Sequence, residues 1–349
     1  MAAGRFLDGV SAGMTIVAIN TAIGQTYPDR LRPRVLALMA ASWVGPSLLG
    51  PPLAGLVVSW TSWRVVFFGL AALTLPPAVA VVLLLRKTRH APPPPSEGRR
   101  PGLLVAAAVS AGAAAGQYAV TGGDVAHLVF GAVAVVLVVA FVRRMLPPRT
   151  LTAARGLPAT VLLNGLASGT FCTLEAFVPL LLDTAEDVPP ALTGLVFTGA
   201  AVAWAGSSWA QSHFLVDVPR HRTVAMGATL VVAAAALAAA GPFFGLPAYF
   251  PAASLVLAAI GMGMVSPMLT VLSLAHAEPG RQGSASSAMM TSRNLGQLGV
   301  TAASSALFSL LAPATRLSFG AAFAILAVPS LLLALLASRT RDPVARSAS

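Results

Sequence analysis

Four charged residues lie inside long apolar stretches of this sequence, where a charge costs a few kcal/mol if the stretch spans a membrane. They are Arg5, Asp8, Glu175 and Arg293. Glu175 is the only carboxylate within the apolar stretches of residues 158–338. A carboxylate placed there can bind a proton from the outer side and release it when a cation competes, so Glu175 is a candidate for proton coupling. Alternatively, it lies near the outer third of its helix and reaches headgroups or a neighbouring hydroxyl.

The other charged positions allow more than one role. Arg5 and Asp8 are three residues apart, so on one helix their side chains are close enough to pair. An ionisable residue inside a span usually faces a cavity or a partner, so Arg5 and Asp8 are further candidates for proton coupling. The alternatives are a structural ion pair, or an Arg5 side chain that reaches the outer membrane surface. Arg293 and Asn294 either line a cavity or hold their helix to its neighbours through hydrogen bonds.

The elements that carry these residues are long and apolar. Apolar residues make up 56% of the 349 positions, charged residues only 9%, and the mean hydropathy is +0.81. A membrane span needs about 20 apolar residues, and about eleven stretches qualify. They are 5–26, 35–59, 65–85, 102–120, 125–142, 158–182, 192–210, 223–241, 251–275, 284–311 and 317–337. Because these lengths suit helices and not barrel strands, the sequence predicts an all-α, polytopic membrane helical bundle.

Basic residues are concentrated in alternate turns. The basic turns and tail are 30–34, 86–100, 143–155, 220–222, 281 and 339–346. The turns between them hold only Arg64 and Arg316 among lysines and arginines. Basic turns face the cytoplasm, so we expect the N-terminus outside and the C-terminus inside. Membrane orientation then explains the net charge of +11, and we expect no nucleic-acid binding.

Several other chemistries find no support in the sequence. The single cysteine, Cys172, excludes an intrachain disulfide, and the five histidines show no ligand spacing, so we expect no metal site. A Walker-type phosphate loop is absent, and we expect neither ATP hydrolysis nor a cofactor. The spans hold no Ser/His pair, paired aspartates or His-x-x-x-His arrangement, so we expect no enzyme.

Proline content and charge divide the chain into segments. Residues 86–157 combine a basic, proline-rich linker with an extra central hairpin of two short spans. We expect residues 1–85 to form the remainder of an N-terminal bundle. Residues 158–338 are predicted to form a six-helix bundle, and residues 339–349 a cytoplasmic tail.

A shift of 251 positions, from Pro28 to Pro279, aligns two cytoplasmic turns and the spans that follow them. The other matches are Arg30 with Arg281, Ala37 with Ala288, Met39 with Met290 and Gly45 with Gly296. Since helix order and orientation also agree, we interpret this as a duplication of the parallel kind found in transporters with two bundle halves.

Four segments resemble motifs of a known family. Residues 5–13 are similar to the fourth-helix motif of the major facilitator superfamily, and residues 45–55 to its fifth-helix antiporter motif. Residues 63–68 resemble the outer turn typical of the fourteen-helix drug:proton antiporters, and residues 292–299 their eleventh-helix pattern. The antiporter motif comprises Gly45, Pro46, Gly50, Pro51 and Gly55.

The resemblance covers nearly the whole chain and implies that it begins at helix four, so that helices one to three are absent. It also implies a part for Arg5 in proton transfer, and control of leak and conformational exchange by residues 45–55. Close helix packing would explain those glycines equally well. Two positions depart from the family pattern: Asp8 stands where glutamine is usual, and Ala54 replaces a glycine.

These observations lead us to expect a secondary active transporter of the bacterial inner membrane, coupling proton entry to efflux of amphipathic or cationic organic compounds. Its cavity candidates are Asn164, Glu175, Trp204, Arg293 and Asn294. The expected partners are the lipid bilayer, protons and a small organic substrate, with a separate N-terminal piece or a second copy if the chain is truncated. The alternatives are a metabolite transporter of the same fold and a non-transporting fragment or interaction subunit.

Overall fold

The computed structural model describes residues 60–87, 103–119, 125–186, 188–278, 281–311 and 316–341, with isolated positions between residues 11 and 57. The described part of the chain is all-α, as the sequence predicts. It divides into two compact units, residues 41–99 and residues 1–40 together with 100–349.

Among its described residues, the smaller unit contains helix α1 at Trp63–Lys87. Between residues 64 and 80 nearly every side chain is exposed, although the helix is apolar on all sides. Pro76 and Pro77 lie inside α1, where each removes a backbone donor. A helix that is apolar all round is suited to lipid rather than to water.

The larger unit begins with a hairpin of two helices, α2 at Leu103–Ala119 and α3 at Val125–Met145. Small residues bring the two helices close together: a Cβ added at Gly112 would lie 3.0 Å from the Leu137 Cβ. At the turn, the Tyr118 ring stacks on His127 with centroids 4.6 Å apart.

The rest of the larger unit is a helical bundle. Its helices are α4 (Leu157–Thr184), α5 (Pro190–Phe214), α6 (Arg220–Phe244), α7 (Tyr249–Ala275), α8 (Gln282–Leu310), α9 (Arg316–Ala324) and α10 (Ala327–Leu336), with a 3-10 turn at Ala337–Thr340. The last predicted span is interrupted between α9 and α10 because Pro329 has no N–H for the Ile325 carbonyl. Buried side chains such as Leu174, Phe323 and Leu269 fill the interior.

Among the described residues, five helical segments are long and apolar enough to cross a membrane. They are Val125–Met145, Leu157–Thr184, Arg220–Phe244, Tyr249–Ala275 and Arg316–Thr340. Helices α5 and α8 are as long but are not among these five, and polar side chains on both form hydrogen bonds to neighbouring helices. Ser292 Oγ, for example, donates a hydrogen bond to the Val161 carbonyl at 2.6 Å.

Candidate functional site

Helix α4, which carries Glu175, packs along α8 in the same direction. The contact depends on three glycines, because Gly296 lies against the backbone of Gly165 and Gly169 lies against the Gly296 carbonyl oxygen. A Cβ added at Gly165 would lie 2.7 Å from the Ser292 carbonyl oxygen. Small residues therefore set the distance between the two helices that carry Glu175 and Arg293.

Polar side chains fix the register of α4 on α8. Asn164 Nδ2 donates a hydrogen bond to the Met289 carbonyl at 2.9 Å, and the Asn164 side chain is buried. Further along, the hydroxyls of Thr173 and Thr301 are 3.0 Å apart. The structure thus places Asn164 in the helix contact, where it bonds to backbone and holds α8 in place.

Glu175 lies just beyond this contact, and its side chain is exposed. Within the described part of the chain, its carboxylate has no hydrogen bond and no ion pair. Pro179 follows four residues later in α4 and has no N–H, so the backbone carbonyl of Glu175 receives no bond from that position. The single carboxylate in the apolar stretches of residues 158–338 therefore coincides with a weakened turn of its helix.

Arg293 on α8 is the positive charge that acts electrostatically on Glu175, and both act on the half-buried Cys172 one turn before it. Arg293 and Asn294 are both exposed. The structure therefore brings two of the predicted charged residues, Glu175 and Arg293, into one neighbourhood across the α4 and α8 contact. Among the described residues, no group of three or more metal-ligating side chains accompanies them.

Trp204 on α5 contacts α4 through Phe171, one turn before Glu175. Its ring is half-buried and contacts Phe171 edge-on, with ring centroids 5.0 Å apart. Beside it, α5 and α7 line an open groove with a volume of about 550 Å³, whose walls include Ser207, Gln211 and Met264. The groove is mainly apolar and suits an apolar or aromatic group.

Gln211 and Ser208 are functional candidates that we did not predict. Both donate hydrogen bonds to the Gly263 carbonyl, from Gln211 Nε2 at 3.0 Å and from Ser208 Oγ at 2.7 Å. Gln211 is 4% exposed, and its Oε1 has no hydrogen-bond partner among the described residues. The sequence signal for this contact was Pro267, four residues after Gly263 in α7.

Several predicted residues lie outside the described residues. They are Arg5, Asp8, Gly45, Gly50, Pro51 and Gly55, and the repeat positions Pro28, Arg30, Ala37 and Pro279. Pro46 is described only as an exposed helical position. The antiporter motif and the Arg5 and Asp8 pair therefore stay predictions.

Comparison with known proteins identifies the family of this chain. Residues 1–301 match the family model of the Major Facilitator Superfamily. The MFS-type transporter pydD of an Acremonium species is 38% identical over 66 residues, which are 19% of this chain and 12% of that protein. An MFS-type transporter of Schizosaccharomyces pombe is 31% identical over 64 residues, 18% of this chain and 11% of that protein. The matched segments thus span a small part of either relative.

A solved structure supports the same fold. The human organic anion transporter MFSD10 (TETRAN) aligns with a TM-score of 0.65 and 16% sequence identity, covering 95% of this chain and 70% of that one. At this identity the likeness shows the fold alone. Together with the family match, it makes this chain a multi-pass membrane protein of a transporter family. The chain belongs to the major facilitator superfamily.

Proposed function

We propose that this chain acts in proton-coupled efflux of amphipathic or cationic organic compounds, with Glu175 as the group that binds the proton. One observation carries the proposal: Glu175 is the only carboxylate in the apolar stretches of residues 158–338, and its side chain is exposed with no ion pair among the described residues. Leaving a carboxylate at such a position has a cost, and function is the usual reason to retain it.

Two neighbouring residues, Arg293 and Pro179, support a mechanism in which a proton and a cationic substrate exchange at Glu175. A protonated Glu175 is neutral and leaves Arg293 as the local charge, which repels a cationic substrate. Loss of the proton creates a negative charge that attracts the cation, so the two ligands compete for one carboxylate. Pro179 weakens the helix at the Glu175 carbonyl, which gives α4 a place to bend when occupancy changes.

Proton flux in proteoliposomes tests this proposal. With the chain reconstituted and a pH-sensitive dye in the lumen, an added lipophilic cation should drive proton movement, and Glu175→Gln should abolish it. Asp183→Asn is a matched control, because Asp183 lies in the last turn of the same helix, outside the apolar interior. Undiminished flux in Glu175→Gln, at equal protein abundance, would sink the proposal.

Transport of an anionic metabolite by the same fold is a second candidate. It is favoured by Arg293, which is exposed on α8 and forms no ion pair with a carboxylate of the described residues. Arg293→Gln should abolish the uptake of an organic anion in this case. If Glu175 alone carries coupling, the same variant should leave cation-driven proton flux in place.

A further inference from the structure

The turn between α3 and α4 lines a half-open cavity of about 370 Å³. Its lining includes Arg143 and Arg149, the hydroxyl-bearing Thr150 and Thr152, and the apolar Val142 and Leu146. Binding pockets for small molecules start at about 300 Å³, so this cavity is large enough for a phosphate with its attached glycerol. We call it the Arg143/Arg149 cavity.

The two arginines are the free donors of this cavity. The hydroxyls of Thr150 and Thr152 donate to the Pro147 and Arg149 carbonyls at 2.7 Å and 3.0 Å, so they are already used. Neither Arg143 nor Arg149 forms an ion pair with a carboxylate of the described residues. The sequence contains no carboxylate between Asp124 and Glu175 that could neutralise them. Guanidinium groups bind phosphate through paired N–H donors.

The backbone of this turn is held in an uncommon conformation. Arg149 has φ of 64° and Ala153 has φ of 50°, the left-handed region that non-glycine residues seldom adopt. Such conformations persist where the surrounding structure fixes them, and they are frequent at ligand-binding turns. Here the conformation presents Arg149 at the wall of the cavity, opposite the last turn of α3 with Arg143.

The position of the cavity indicates the occupant. It lies at the end of Val125–Met145, a helix long and apolar enough to span a membrane, so its arginines are at the level of the lipid headgroups. Its other walls are apolar, through Val142, Leu146 and Leu151. We propose that the Arg143/Arg149 cavity binds the phosphate headgroup of an anionic phospholipid, whose acyl chains lie against α3.

Native mass spectrometry of the full chain in detergent tests this site, with phosphatidylglycerol and phosphatidylcholine as the two probes. We expect phosphatidylglycerol to be retained in preference to phosphatidylcholine, and Arg143→Gln and Arg149→Gln each to weaken its binding about five-fold. Inorganic phosphate at millimolar concentration should leave the bound lipid in place. Displacement of the lipid by phosphate would overturn the assignment, since the site would then serve a soluble anion.

Arg144→Gln is the matched control. Arg144 is also in the last turn of α3, but it lies over the Phe141 ring at 5.5 Å from the centroid and does not line the cavity. Arg143 and Arg144 both lie at the C-terminus of α3, where they complement the negative end of the helix dipole. If that were their only role, Arg143→Gln and Arg144→Gln would have the same effect on lipid retention, and equal effects in folded proteins would contradict the proposal. Circular dichroism checks that each variant remains helical.

Discussion

Gln211 on α5 donates a hydrogen bond to the Gly263 carbonyl on α7 at 3.0 Å, and a proline is the reason that this carbonyl is available. Within a helix, the carbonyl of residue 263 would accept from the N–H of residue 267, but Pro267 has none. Ser208 Oγ donates to the same oxygen at 2.7 Å. Because Pro267 leaves this carbonyl free, Ser208 and Gln211 on α5 form hydrogen bonds to it that join α5 to α7.

The first prediction concerns the two hydrogen bonds to the Gly263 carbonyl. Replacing both donors, as Ser208→Ala with Gln211→Leu, leaves the Gly263 carbonyl without either of its side-chain partners. We expect the free energy of unfolding to fall by about 2 kcal/mol. Titration with sodium dodecyl sulfate, followed by circular dichroism, measures the change.

Restoring the proline-blocked bond provides the control. In a Pro267→Ala background the N–H of residue 267 can reach the Gly263 carbonyl. The same double substitution should then lower the free energy of unfolding by less than half as much. Equal losses in both backgrounds would mean that the two side chains stabilise the protein through packing and not through this carbonyl.

The second prediction concerns the contact of α4 with α8. A Cβ at Gly296 would collide with the backbone of Gly165, so Gly296→Ala should separate the helices and lower stability by about 2 kcal/mol. Gly299→Ala, on the same helix, meets nothing within 4 Å and should be neutral or slightly stabilising. Thermal melting of the two purified variants checks this, and a stable Gly296→Ala protein would show that the contact can relax.

Some of the site was predictable from the sequence and some was not. Glu175 was proposed from the cost of a charge in an apolar stretch, which requires no knowledge of neighbouring helices, and its part in proton coupling stays a prediction. Asn164 was named as a cavity residue, which stays a prediction, and its hydrogen bond to the Met289 carbonyl, 125 positions away, could not be predicted from the sequence. Gln211 was missed because its hydrogen bond depends on Pro267, which lies on another helix. The sequence does not show that the two helices are in contact.

Helix positions were easier to predict than their ends or interruptions. The predicted span 158–182 corresponds to Leu157–Thr184, since a long apolar run is a local signal. The predicted span 317–337 is interrupted between α9 and α10 by the effect of Pro329. Proline inside α4 and α7 does not interrupt those helices, so its effect depends on tertiary contacts that the sequence does not display.

The third prediction concerns the tie between the C-terminal segment and the turn before α4. Arg339 Nη1 donates to the Ala153 carbonyl at 3.0 Å, and the Gly156 N–H donates to the Arg339 carbonyl at 3.0 Å. Arg339→Ala removes the bond to Ala153 and the second bond from Nη1, to the Thr152 carbonyl at 3.2 Å. We expect residues 337–341 to exchange their amide hydrogens about ten-fold faster, as the loss of charged hydrogen bonding implies. Hydrogen exchange with mass spectrometry measures this rate.

Arg341→Ala is the control for that experiment. The Arg341 carbonyl accepts from His276 Nε2 at 3.0 Å, a backbone contact that the substitution keeps. Exchange in residues 337–341 should therefore remain near the wild-type rate. If both variants exchanged equally fast, the Arg339 bond would not be what holds this segment.

The fourth prediction compares two ion pairs that differ in burial. Glu186 Oε1 and Arg316 Nη2 are 3.0 Å apart, and the Glu186 side chain is only 13% exposed. Glu278 and Arg281 are 2.9 Å apart, but their side chains are 71% and 51% exposed. Arg316→Ala leaves a largely buried carboxylate without its partner, so we expect a loss of about 2 kcal/mol in the free energy of unfolding.

Arg281→Ala should cost less than about 0.5 kcal/mol, because an exposed pair is screened by water and salt. Detergent titrations at low and high salt separate the two cases, since salt should reduce the effect at Arg281 more than that at Arg316. The exchange Glu186→Arg with Arg316→Glu restores opposite charges and should recover part of the loss. Arg316 also packs against Gly245, where an added Cβ would lie 3.2 Å from the Arg316 Nη1. If the exchange variant were no more stable than Arg316→Ala, this packing and not the ion pair would be what Arg316 contributes.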